Sequence, residues 1–341
     1  MGIPFLNGLL KKHCAKSITN IALSTLNNKK IAIDISIYIY KYAAENKIIE
    51  NFHLMLSIFN KYNIVPVFIF DGKPPAEKKS LLQKRKEGKI NAELEYNRLK
   101  TKLNSISNDN SRQYSTDAQQ SINEIVTQMD KLKPQFIYIT KEIINNVKEL
   151  LRAYGATYYD SPEEADLLCA SLVKKNKTWA CMSDDMDMFV YGCNNIIRNL
   201  NIYNHTATLY SLSGILQDLN MTQKEFRQIC ILSGTDYNGS ISINTSANDN
   251  TNSNINLYKS FTLMKKFKKI GAPDFNEWII ENQQLINIDK IINKDLLEKL
   301  FNMFDLEHEI NVNKFKIFDN CKIINGKINE DLIDSIIKMH I

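Results

Sequence analysis

Short β-branched runs alternate with longer stretches of helical spacing over the first two-thirds of the chain. Lys29-Lys30-Ile31-Ala32-Ile33-Asp34 and Ile64 to Phe70, the second followed by Asp71-Gly72, read as buried strands. Between them, Ser36 to Tyr62 places Ile37, Tyr40, Ala44, Leu54 and Ile58 at helical intervals and predicts the crossover of a strand-helix-strand unit. The pattern then recurs. Ile143 to Tyr154 reads as a helix, Ala156 to Tyr159 as a short strand, Pro162 to Lys175 as a helix, and Thr178 to Ser183 as a strand ending at Asp184-Asp185. Asn195 to Leu200 and Thr206 to Tyr210 are further strands, and Thr222 to Ser233 is helical. This alternation predicts an α/β fold: an open, mostly parallel, twisted sheet with helices on both faces.

Two segments break the alternation. Lys73 to Asn104 is a long charged helical stretch, and Ser105 to Ser121 is a polar run expected to lack fixed structure. From Lys73 to Lys102 there are ten basic and four acidic residues, a net +6. Asn238 to Asn256 has seven Asn and four Ser and reads as a flexible loop. Beyond it, Leu257 to Lys269 is a basic amphipathic helix, and the remainder to Ile341 reads as further helices.

Composition narrows the class without naming a function. At 341 residues, 44% apolar and 24% charged, the chain can bury a substantial core and is neither disordered nor fibrous. The longest wholly apolar run, Ile64 to Phe70, is far below the roughly 20 residues needed to span a bilayer. The amino terminus has neither a secretory nor a myristoylation pattern, so an intracellular setting is expected. Six cysteines (Cys14, Cys169, Cys181, Cys193, Cys230, Cys321) form no C-x-x-C pair and read as free thiols in a reducing compartment. The formal charge of +5 only hints at a polyanionic partner, but the +6 segment exceeds it and localises the hint. Forty asparagines point to an AT-rich genome, such as that of a large DNA virus or a protist.

The candidate chemistry lies in the acids that end the apolar runs. In an open parallel sheet, ligands bind at the carboxyl ends of the strands, so acids distant in sequence converge there. Asp34, Asp71 and the group Asp184, Asp185 and Asp187 occupy such ends. Glu164 and Asp166 open a helix after Asp160, and Asp236 follows the helix in Gly234-Thr235-Asp236-Tyr237. Carboxylates crowded into one crevice repel strongly unless hard cations bind, and oxygen-rich sites suit Mg²⁺ or Mn²⁺. Each acid has an ordinary alternative. Asp34 and Asp71 could be loop acids, Asp185-Met186-Asp187 a turn and cap, Asp236 a turn acid, and Ser161-Pro162-Glu163-Glu164 a capping box. Lys78 and Arg85, seven apart with Leu81 and Leu82 between, would share a helix face suited to a phosphodiester or simply to solvent.

Met1-Gly2-Ile3, the Ile31 to Asp34 strand, Phe70-Asp71-Gly72-Lys73-Pro74-Pro75, Glu163-Glu164-Ala165-Asp166, Asp184-Asp185-Met186-Asp187 and Gly234-Thr235-Asp236-Tyr237 together resemble the flap endonuclease branch of the XPG-type structure-specific 5′ nucleases. The motifs keep that family's order from residue 1 to about 237. The resemblance implies a PIN-like nuclease core with a helical arch and a C-terminal helical DNA-binding region. The implied division is 1–72 and 141–237 for the nuclease regions, 73–140 for the arch and 238–341 for DNA binding. It implies two Mg²⁺, replaceable by Mn²⁺, one served by Asp34, Asp71, Glu164 and Asp166 and the other by Asp185, Asp187 and Asp236. Asp184 lies outside that set. It implies that Lys78 and Arg85 are catalytic cations, that Tyr40 stacks on a base beside the scissile phosphate, and that Gly2 lies close to the DNA.

The implied activity is Mg²⁺-dependent cleavage of 5′ flaps with accompanying 5′-to-3′ exonuclease action, in replication, repair or recombination. Three departures qualify it. The Asn-rich stretch Asn238 to Asn256 replaces the Gly-x-Gly hairpin of a helix-two-turn-helix module, which puts K⁺ coordination in doubt and leaves Lys259 matched to the module's second helix. Asp166 stands where the family more commonly has Glu. The tail to Ile341 carries no sliding-clamp sequence, so no clamp partner is expected. The expected partner is DNA bearing 5′ single-stranded flaps, nicks or ends, bound by a monomer in a nucleus or a cytoplasmic replication site. An exonuclease working mainly from nicks, gaps or ends is the alternative within the same chemistry, and a catalytically inactive DNA-binding scaffold the alternative outside it.

Overall fold

A computed structural model describes residues 2–107, 116–237, 255–282 and 294–340. Seven strands form one sheet: β1 (Ile18–Ala22), β2 (Lys30–Asp34), β3 (Val65–Phe70), β4 (Thr157–Asp160), β5 (Ala180–Met182), β6 (Asn195–Asn201) and β7 (Thr206–Ser211). Their spatial order is β1-β7-β6-β5-β2-β3-β4. The five strands from β6 to β4 run parallel, while β7 lies antiparallel to both β6 and β1. The mostly parallel α/β fold read from the sequence is thus present, with an antiparallel edge.

Alternation along the central strands decides which helices cover each face. Ala32, Val67, Ile69, Cys181 and Ile196 point into one core, with helices Leu6–His13, Ala165–Lys174 and Gln223–Ser233 among those packed there. Ile31, Ile33, Phe68, Phe70, Met182 and Ile197 point into the other, under helices Ile35–Ala44, Ile48–Lys61, Lys141–Ala153 and Glu330–His340. A buried Ile, Leu or Phe side chain contributes about 1.5–3 kcal/mol, so residues facing both ways make register slips in these strands costly.

Several expected elements change shape. The crossover after β2 is two helices, because Asn46 adopts a left-handed φ of 52° and ends the first. Helix 162–175 begins instead at Ala165. The Ser161 hydroxyl is engaged with the Glu164 carbonyl and the Glu163 amide, and the Glu164 side chain makes no cap, so the capping box is not formed. The polar run 105–121 is not wholly irregular: helix Lys79–Ser107 enters it from one side and helix Thr116–Leu132 from the other, with 108–115 outside the described residues. The two helices bury Ala92, Leu99 and Ile125. Such an intermittent apolar stripe is easily missed in a charged sequence. The Asn-rich loop lies outside the described residues up to 254, and Asn256 caps helix Leu257–Ile270 by accepting from the Lys259 amide at 2.9 Å. Strand β1 is not predicted by the pattern: only Ile18 and Ile21 are half-buried, the other three residues are exposed, and there is neither an alternation nor a continuous apolar run.

All six cysteines are free thiols, five of them buried. Among the described residues no helix is long and apolar enough to cross a membrane.

Candidate active site

The carboxyl ends of β2, β3 and β5 are adjacent because Ile33 pairs with Met182 on one side and Phe68 on the other. Asp34 ends β2 and caps the next helix, accepting from the Ser36 amide at 3.2 Å. Asp71 follows β3. Its Oδ2 accepts from the Ser36 hydroxyl at 2.5 Å and its Oδ1 from the Ala165 amide at 2.8 Å. Asp71 therefore starts the helix carrying Asp166, a cap supplied from 94 residues away that no local sequence signal announces.

Beyond β5 the chain turns through Ser183, whose hydroxyl donates to Asp34 Oδ2 at 3.3 Å and accepts from the Asp185 amide at 3.2 Å. Asp185 Oδ1 then accepts from the Asp187 amide at 3.0 Å. Asp187 is fully buried, and neither carboxylate oxygen has a hydrogen-bond partner. Gly2 lies directly over this turn: at φ 76°, its missing Cβ would collide with Asp185 Oδ1 and fall 2.5 Å from Asp187 Oδ1. Only glycine fits that approach. Asp184 points elsewhere, accepting from the Asn199 amide at 2.8 Å.

The charges are coupled. Burial, then the charges of Asp71 and Asp185, push the Asp34 carboxyl up to about 8. Burial and Glu164 raise Asp166, and Asp185 and Asp34 add to the rise. Burial, Asp185, Asp166 and Asp236 raise Asp187. All seven predicted acids thus fall within one another's field.

Two cations reach into this group. Lys78, 6% exposed, sits in a short 3₁₀ turn and places Nζ 2.7 Å from Glu164 Oε1 and 4.7 Å from the Tyr237 ring centre. Burial pulls its ammonium down, but Asp166, Glu164 and Asp187 outweigh that and hold it above the ordinary lysine range. The Tyr237 hydroxyl donates to Glu164 Oε2 at 2.7 Å, so Lys78 and Tyr237 satisfy both oxygens of that carboxylate. Arg85, in helix Lys79–Ser107, places Nη2 2.8 Å from Asp236 Oδ2 and is half-exposed. The two cations therefore meet different acids instead of forming one helical face.

Sequence reasoning assigned no role to Tyr237, although its motif contained it. It also missed Lys89, whose Nζ lies 4.9 Å from the ring centre of exposed Tyr40 and 5.6 Å from that of Tyr138. Lys259 sits in the first turn of its helix, on the C-terminal helical layer packed against helix Gln223–Ser233.

The donor set fits divalent cations. Among the described residues, no three His, Cys, Asp or Glu side chains close on a common point as a ready-made cage. Mg²⁺ does not need one, since it keeps several waters and takes only one or two carboxylates directly. The bare buried oxygens of Asp187 and the mutual repulsion that raises Asp34, Asp166 and Asp187 are what such a cation relieves.

Comparison with known proteins gives this geometry a family. Residues 1–92 match the XPG N-terminal domain and residues 155–236 the XPG I-region, which together span a little over half of the chain. The chain belongs to the XPG family. Flap endonuclease 1 of Glossina morsitans morsitans is 30% identical to this XPG-family chain over 256 residues, 70% of this chain and 61% of that protein. Flap endonuclease 1 of Danio rerio is 30% identical over 259 residues, 71% of this chain and 63% of that one. The match thus covers less than two-thirds of these relatives' own length. The catalytic core of Rad2 in complex with DNA substrate shares the fold, with a TM-score of 0.65 over 99% of this chain and 95% of that one at 20% identity.

Proposed function

We propose that the chain is a divalent-metal-dependent 5′ flap endonuclease that hydrolyses DNA phosphodiester bonds, with 5′-to-3′ exonuclease activity on the same site. The observation that carries this is the convergence of seven carboxylates on one sheet edge, with Asp187 buried and unpaired among them. Asp34, Asp71, Glu164 and Asp166 would hold one Mg²⁺ or Mn²⁺, and Asp185, Asp187 and Asp236 the other. When bound, such cations activate water and stabilise the entering and leaving oxygens of an in-line displacement.

The chain's own residues divide the remaining work. Lys78 is already committed to Glu164 and the Tyr237 ring, so it fixes the acid group and tempers its charge. Arg85 is half-exposed and holds only Asp236 by an ion pair, so it can exchange that carboxylate for a phosphate oxygen in the transition state. Gly2 keeps the amino-terminal segment flush against Asp185 and Asp187, where a bulkier residue would displace them. Tyr40, exposed on helix Ile35–Ala44 with Lys89 over its ring, offers a face on which an unpaired base stacks. The basic helix Lys79–Ser107 supplies phosphate contacts that make binding fall with salt. The relatives' name and the Rad2 complex with DNA support this reading.

The test is cleavage of 5′-labelled double-flap DNA with Mg²⁺, beside Asp185→Asn and with nicked duplex as a second substrate. A short single-stranded product near the junction, absent from the variant, is the expected result. Mononucleotide release from the nick alone would favour the exonuclease reading. Binding without cleavage by the unaltered protein would overturn catalysis altogether.

A further inference from the structure

The opposite, amino-terminal edge of the sheet holds a cavity of about 510 Å³ at the point where β2, β5 and β6, three neighbouring parallel strands, begin. Lys29, Lys30 and Lys177 line it together with Asn176, Thr178 and Trp179. No carboxylate lines it, and among the described residues no ion pair engages any of the three ammonium groups. The neighbouring Asp319 is bound by Lys175 at 2.5 Å, and its charge also reaches Lys177 without pairing with it. Lys29 Nζ stands 5.2 Å from the Trp179 ring centre, and the indole is only partly covered. Trp179 is held by its own backbone, its amide donating to the Lys30 carbonyl at 2.7 Å and its carbonyl accepting from Asn195 Nδ2 at 3.1 Å. Thr178 is 4% exposed, and its hydroxyl has no hydrogen-bond partner.

Three lysines and no acid give the concavity a positive lining, which an anion complements. The indole adds a flat apolar face of the kind on which bases stack, the asparagine amides add donors and acceptors, and the volume lies in the range of small-ligand sites. We propose that this cavity binds a nucleoside phosphate, with the phosphate on Lys29 and Lys177 and the base against Trp179. The source would be either a free nucleotide or one nucleotide of a single strand. From Lys30 to Asp34 is four strand steps of about 3.3 Å, or about 13 Å, so the site lies across the sheet from the carboxylates and does not depend on the nuclease reading.

The test uses the full chain in a Trp278→Phe background with EDTA, so that Trp179 alone reports and no cleavage occurs. Deoxyadenosine 5′-monophosphate should quench Trp179 emission saturably, with deoxyadenosine or inorganic phosphate at least tenfold weaker. Lys29→Ala with Lys177→Ala should weaken binding at least tenfold while flap cleavage stays within twofold of the unaltered protein. A single-stranded oligonucleotide that binds more tightly than the mononucleotide, and loses affinity in the same variant, identifies a strand as the source; equal or weaker binding identifies the free nucleotide. Unsaturable quenching, phosphate binding as tightly as the nucleotide, or capture of polyglutamate but not nucleotide would each overturn the proposal.

Discussion

Replacing Lys78 by methionine keeps the length of the side chain and removes its charge. In the metal-free protein this leaves Glu164 with only the Tyr237 hydroxyl, and leaves Asp166 and Asp187 without the cation that most directly opposes them. Removing one partner of a buried ion pair costs about 3–5 kcal/mol, because the other charge stays buried uncompensated. With a urea m-value of about 3 kcal/mol/M, that loss lowers the unfolding midpoint by about 1–1.7 M. The assay is urea unfolding of both proteins at pH 8 in EDTA, at pH 8 with saturating Mg²⁺, and at pH 5.5 in EDTA. The loss should be greatest in EDTA at pH 8, smaller with Mg²⁺, which replaces the missing counter-charge, and smaller at pH 5.5, where the raised acids take up protons instead. Midpoints that differ by less than about 0.2 M at pH 8 in EDTA, or a loss equal under all three conditions, would refute the assignment of Lys78 as the internal counter-charge.

Three further outcomes follow from the same geometry. Asp34 has a folded pKa raised to about 8 from 3.8, so its contribution favours folding below about pH 4 and is lost as pH rises through 8. In EDTA, Asp34→Asn should therefore gain stability relative to the unaltered protein between pH 5 and pH 8.5, and a thermal melt series showing the reverse slope would contradict the burial argument. Gly2→Ala should cut single-turnover flap cleavage at least tenfold with little change in the melting temperature, since the clash falls on Asp185 and Asp187 and not on the core. Unchanged cleavage would place the segment away from the carboxylates in solution. Arg85→Ala should slow single-turnover cleavage about 10²–10³-fold while DNA affinity shifts only a few-fold, with Arg85→Lys restoring part of the rate. A change confined to affinity would make Arg85 a steering residue.

The acids were legible because a strand that ends in a carboxylate writes both the element and its chemistry in five or six letters, as Ile31 to Asp34 and Phe70-Asp71 do. Their partners were not. Asp71 capping Ala165 and Lys78 meeting Glu164 and Tyr237 are contacts between residues 86 or more apart, set by how strands pair and not by local spacing. Local rules also misled where tertiary contacts offered better partners. Ser161-Pro162-Glu163-Glu164 has the letters of a capping box, yet Glu164 is drawn to a buried ammonium, a charge-assisted bond worth more than a backbone cap. Strand β1 exists because β7 offers an edge to pair with, a cause absent from its own residues.

The adjacency of β3 and β4 has a consequence for how the molecule is made. The chain leaves the sheet after Phe70 and returns at Thr157, paired beside the point of departure. A ribosome delivering this protein therefore releases Asp34 and Asp71 long before Asp236, roughly 165 residues later. At about 5–20 residues per second that interval is about 10–30 s. During it the nascent chain carries an incomplete set of carboxylates, with Glu164 and Asp166 added only after the excursion and Asp185 and Asp187 only after β5. The order of synthesis thus withholds a complete carboxylate cluster until the whole seven-stranded sheet has emerged.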